Sequence, residues 1–162
     1  MEMLLHATVL GIAATVVMDL WAIGQKRLFN IPSLNYRLVG RWIGHMPGGR
    51  LVHHTIVQAT PVKGEVVMGW GAHYLIGIAF SWLFLAIMGT GWLEQPTFLP
   101  ALAMGLISVV APFFLMQPGF GFGVAASRTP QPNVARLRSL IAHASFGIGI
   151  YVGALLLQPL WS

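Results

Sequence analysis

The chain contains no cysteine, which excludes disulfides, thiolate metal sites and cysteine nucleophiles. Charge is almost as scarce: 8% of its 162 residues are Asp, Glu, Lys or Arg, where an average soluble domain carries about 25%. Internal repeats and low-complexity tracts are also missing. In their place stands apolar surface, with 56% hydrophobic residues and a mean hydropathy of +0.74. A chain this apolar cannot cover a water-facing surface, so lipid must be the solvent around most of its perimeter. The formal net charge of +5 could point to nucleic acid, but the basic residues are distributed as membrane topology demands, and no nucleic-acid partner is expected.

Four candidate spans emerge, at about 4–24, 68–88, 98–116 and 137–157. Each approaches the ~20 residues a helix needs to cross ~30 Å of hydrocarbon. The expected fold is therefore an all-α integral membrane protein, a single domain over 1–162 with four transmembrane helices in a bundle. Long polar loops would cover 25–67 and 117–136. In the first, Arg41-Trp42-Ile43-Gly44-His45 reads as a short interfacial helix ended by Pro47-Gly48-Gly49. In the third span Pro112, Pro118 and the alternating glycines 119, 121 and 123 predict a kink or an unwound end.

All nine basic residues fall in two connections: Lys26, Arg27, Arg37, Arg41, Arg50 and Lys63 in the first, and Arg128, Arg136 and Arg138 in the third. The opposite face holds Glu2 and Glu94. The positive-inside rule places both long loops in the cytoplasm and both termini outside. Trp92 and Trp161 would belong to an outer aromatic belt, Trp42 and Trp70 to an inner one, and His6 to the outer interface. The first span lacks a basic n-region and exceeds the usual h-region, so it reads as a span and not as a cleaved signal.

Three ionisable residues interrupt the apolar runs. Asp19, His73 and His143 each lie ~8 Å in from the basic end of their spans at ~1.5 Å rise per residue, and Gln117 falls near the same layer. A charge in hydrocarbon costs at least ~2.5–3.5 kcal/mol, so such groups usually face protein and mark a site. One Asp and two His suit a divalent metal such as Zn, Fe or Ni. Two His on different helices could instead clamp a b-type haem, and imidazoles beside a carboxylate could relay protons. The plain alternative is that these groups only fasten helices together, at ~0.6 kcal/mol per interhelical hydrogen bond.

The first loop gathers Arg37, Arg41, His45, Arg50, His53, His54 and Glu65. Adjacent histidines point to different sides of any regular element, and no metal-ligand spacing such as HExxH occurs. The arginines here, with Arg128, Arg136 and Arg138, better suit anionic lipid headgroups, at ~1 kcal/mol each, or an anionic substrate. Gly149 and Gly153 form a small-xxx-small pair for close packing within the bundle or in a homodimer.

A family resemblance runs through nearly the whole chain. It is carried by Ala14-Thr15, Met18-Asp19-Leu20-Trp21, Pro32-Ser33-Leu34-Asn35-Tyr36, Gly40-Arg41-Trp42, Gly69-Trp70-Gly71-Ala72-His73-Tyr74, Pro112-Phe113-Phe114, Met116-Gln117-Pro118, Ala126-Ser127-Arg128-Thr129-Pro130 and Arg136-Leu137-Arg138-Ser139-Leu140. In these the chain resembles the bacterial membrane family of domain of unknown function (DUF) 2938. The resemblance implies a bacterial inner-membrane protein and no particular activity, cofactor or catalytic residue. The leading functional expectation is binding or transport of an ion or small polar solute through an inner-leaflet Asp/His pocket, with four short spans requiring a dimer to enclose a pathway. The rivals are a small membrane enzyme using a metal or haem on a lipid or anionic substrate, and an accessory subunit without chemistry.

Overall fold

A computed structural model describes residues 1–160; Trp161, read as part of the outer belt, lies outside the described residues. Among these all regular structure is helical. Four helices are long and apolar enough to cross a membrane: Glu2–Phe29, Glu65–Met88, Phe98–Gly119 and Pro132–Leu157. They extend beyond the expected spans because helix continues into polar flanks. Lys26 and Arg27 occupy the last turn of the first helix, where cations complement the helix dipole. Large apolar side chains stay exposed along them, including Leu20, Trp21, Leu75, Ile87, Leu115 and Leu156. That pattern fits helices surrounded by lipid.

The chain divides into two compact units. One is Met1–Ser33, Tyr74–Ser108 and Ile141–Ser162, the other Leu34–His73 and Val109–Leu140.

In the first unit all four spans contribute to one core, through Ala7, Leu10 and Ala14, Phe84 and Leu85, Ala101 and Met104, and Phe146, Ile150 and Ala154. Small residues let these helices touch backbone to backbone. A Cβ on Gly11 would lie 2.6 Å from the Ile78 Cα, one on Gly149 2.6 Å from the Ala14 oxygen, and one on Gly105 2.6 Å from the Gly147 Cα. Gly149 and Gly153 thus serve packing within the chain, against the first span. Trp92 lies in a short helical turn, Thr90–Leu93, just past the second span. It is buried at 7% exposure, edge-on to Phe84 with ring centroids 4.6 Å apart, and its indole N–H donates to the Thr97 hydroxyl at 3.1 Å.

In the second unit the loop helix runs Tyr36–His45, five residues earlier than expected. The Asn35 side chain caps it, accepting the Arg37 N–H at 3.2 Å. A Cβ on Gly40 would collide with the Glu65 carbonyl, and one on Gly69 with the Tyr36 carbonyl, so this helix lies directly on the start of the second span. Val39, Ile56 and Phe120 form the core beneath it. The irregularity expected in the third span is a π-helical turn, Pro112–Met116. Proline has no N–H to give the preceding turn, which favours such an insertion. The chain leaves through Gly121, at φ +87°, where a Cβ would strike the His54 carbonyl.

Candidate functional site

Each unit carries its own polar set. In the first, the Tyr74 hydroxyl donates to the Asp19 carboxylate at 3.0 Å, joining the first and second spans inside their apolar lengths. The third and fourth spans are joined by Ser108 and His143. The Ser108 hydroxyl donates to the Gly105 carbonyl at 2.6 Å and lies 2.7 Å from the His143 Nδ1. A hydroxyl has one hydrogen, so which partner donates in the Ser108–His143 contact depends on the tautomer of the ring. Gly105 permits this pairing, because a Cβ there would sit 2.5 Å from the His143 carbonyl.

In the second unit His73 stacks on Tyr36, with ring centroids 4.2 Å apart and planes at 27°, and meets Trp70 edge-on at 5.9 Å. Gln117 is buried at 6% exposure. Its amide nitrogen donates to the Ser139 hydroxyl at 3.3 Å, while its oxygen Oε1 is buried without a hydrogen-bond partner among the described residues. A buried amide oxygen left unmet is costly, and it is a ready acceptor for a ligand's donor.

Asp19 and His143 belong to one unit, His73 and Gln117 to the other. Among the described residues no three His, Asp or Glu side chains are grouped to hold a metal ion.

The arginines expected on anionic headgroups also divide. Arg41 is buried, at 8% exposure, against Glu65 at 4%. Its Nε donates to one Glu65 oxygen at 2.9 Å and its Nη2 to the other at 3.1 Å, a bidentate fork. Nη1 reaches the carbonyls of Val57 and Ala59 at 3.2 and 3.1 Å. Arg37 adds two bonds to the same carboxylate, at 3.1 and 2.9 Å, and the Val62 N–H a third contact at 3.1 Å. The Glu65 carboxylate raises the Arg41 pKa further above its ordinary value. Arg37 and Arg41 are therefore partners of Glu65. Sequence reasoning missed this pairing although all three residues were in view. Arg136 is also engaged, donating to the Ala125 carbonyl at 2.8 Å and to the Asn133 side chain at 3.0 Å. It braces a turn in which Ala125 and Ala126 adopt positive φ. Arg50, Arg128 and Arg138 remain exposed.

No curated protein and no solved structure matches the chain. The family model described as Protein of unknown function (DUF2938) matches residues 8–157, and the chain belongs to that family.

Proposed function

We propose that the protein binds or transports an ion or small polar solute through polar side chains set within its spans, with a cation as the species that Asp19 selects. The observation that carries this reading is the Asp19 carboxylate held by the Tyr74 hydroxyl at 3.0 Å inside two otherwise apolar helices. A carboxylate at membrane depth is costly to keep and usually marks a site. His143 supplies a second exchangeable group, and Gln117 a neutral acceptor. The chain is read as a multi-pass protein of a bacterial inner membrane with both termini outside, a dimer being the assembly that would enclose a pathway.

The experiment is thermal stability of the purified full-length protein with Na⁺, K⁺, Mg²⁺ and Zn²⁺, for wild type and Asp19→Asn. A cation at a hundred times its dissociation constant should stabilise the wild type by about 2.7 kcal/mol, and Asp19→Asn should fold equally well yet lose that response. A mutant that loses stability while no cation affects either protein would make the pair a fastening and refute the proposal. Topology has its own check. Reporter fusions at residue 162 should register outside and fusions within 47–50 in the cytoplasm; the opposite pattern would reverse the orientation.

A further inference from the structure

A cavity of about 300 Å³ in the second unit is lined by Arg50, His53, His54, Thr55, Gln58 and Thr60, with one alanine. Its walls are held in place. The His53 N–H donates to the Gly119 carbonyl and the Ile56 N–H to the Phe120 carbonyl, both at 2.9 Å, and Ile56 is fully buried. The His45 Nε2 meets the Thr60 carbonyl at 2.9 Å, so that nitrogen carries a hydrogen, and the His45 ring packs edge-on to His53 at 5.1 Å.

The lining is rich in donors and contains no carboxylate, whereas Glu65 is enclosed by its own arginines. One polar atom is left over: the His53 Nε2 is buried and has no hydrogen-bond partner among the described residues. We propose that this cavity binds a phosphate group, with Arg50 supplying fixed positive charge, His53 an imidazolium donor, and Thr55, Gln58 and Thr60 neutral hydrogen bonds. The chemistry is the same for inorganic phosphate and for a phosphomonoester headgroup.

Binding should be coupled to protonation. Burial holds the His53 imidazole below its ordinary range, His45 and Arg50 push the same way by repulsion, and a hydrogen bond with the Arg50 backbone opposes them. His54 is the remaining titratable group of the lining, and the Gly119–Gly121 segment packed against the loop carries none. The ring is thus neutral near pH 7 when the cavity holds no anion. A bound phosphate reverses the balance and favours the charged ring, so affinity gained through His53 grows as pH falls.

The test is the melting temperature of the purified full-length protein titrated with inorganic phosphate and, separately, with phosphatidic acid in phosphatidylcholine mixed micelles, at pH 6 and pH 8. Wild type should be stabilised saturably by at least one probe. Arg50→Gln, an exposed substitution that leaves the fold intact, should weaken binding about tenfold or more, as loss of one charge-assisted hydrogen bond implies. His53→Gln should bind more weakly at pH 6 and lose the part of the pH dependence that exceeds the titration of the phosphate itself. Response to inorganic phosphate alone identifies a soluble ligand, response to phosphatidic acid alone a lipid headgroup, and either supports the site. No response to both probes, or Arg50→Gln binding as wild type does, overturns it.

Discussion

Arg41→Met is expected to lower the melting temperature of the purified protein by about 10 °C or more, among the largest effects of any single substitution in the chain. The methionine fills much of the same volume, so the loss is electrostatic. Glu65 stays buried and keeps only the half-exposed Arg37, whose side chain is 57% exposed, and the Val62 N–H. The carbonyls of Val57 and Ala59 lose their donor as well. Breaking a buried pair from one side leaves an uncompensated charge, which costs more than the intact pair contributes. The double variant Arg41→Met/Glu65→Leu should therefore recover part of the loss. Thermal denaturation of wild type, both single variants and the double variant measures this as a cycle. Strictly additive losses, or an Arg41→Met shift within about 2 °C of wild type, would show that the network is a surface contact of the ordinary weak kind.

The second large effect is expected at Gly105→Val, at about 3 kcal/mol. Its Cβ would lie 2.5 Å from the His143 carbonyl and 2.6 Å from the Gly147 backbone. These are backbone atoms, so the third and fourth spans must separate. Ser108 is the next residue on the same helix face, one turn on, and its 2.7 Å contact with His143 should open with them. A valine at Gly71, where a Cβ meets nothing within 4 Å, controls for the residue type and should change stability by about 0.5 kcal/mol or less. Denaturation of both variants in detergent reads the difference; equal losses would refute the close approach.

The spans were legible because an apolar run of the right length needs no knowledge of its partners. Depth along each span was legible for the same reason, from rise per residue alone. Direction around the helix was not. His73 and Tyr74 are neighbours in sequence and point about 100° apart; the histidine stacks on Tyr36 and the tyrosine takes Asp19. Depth alone could not tell which of the two neighbours meets which partner. The pairing of the loop arginines was hidden for another reason. Lys and Arg beside a membrane satisfy the topology rule whether or not they have partners, so the bidentate hold of Arg41 on Glu65 left no separate trace in the charge pattern. Asn35 did leave one: a capping side chain just before Tyr36 extends the loop helix back from Arg41 to Tyr36. Ser108 was hidden by chemistry, since a small hydroxyl can sit in an apolar span by bonding its own backbone.

The most direct measurement of the proposed in-span site is the infrared difference spectrum of the protein on adding each of Na⁺, K⁺, Mg²⁺ and Zn²⁺. A cation engaged by Asp19 should perturb the carboxylate stretching bands together with a tyrosine ring mode from Tyr74, and both changes should vanish in Asp19→Asn. A spectrum that no cation alters, or one that is identical in wild type and Asp19→Asn, would contradict cation binding at this carboxylate and leave the Asp19–Tyr74 pair as a fastening between helices.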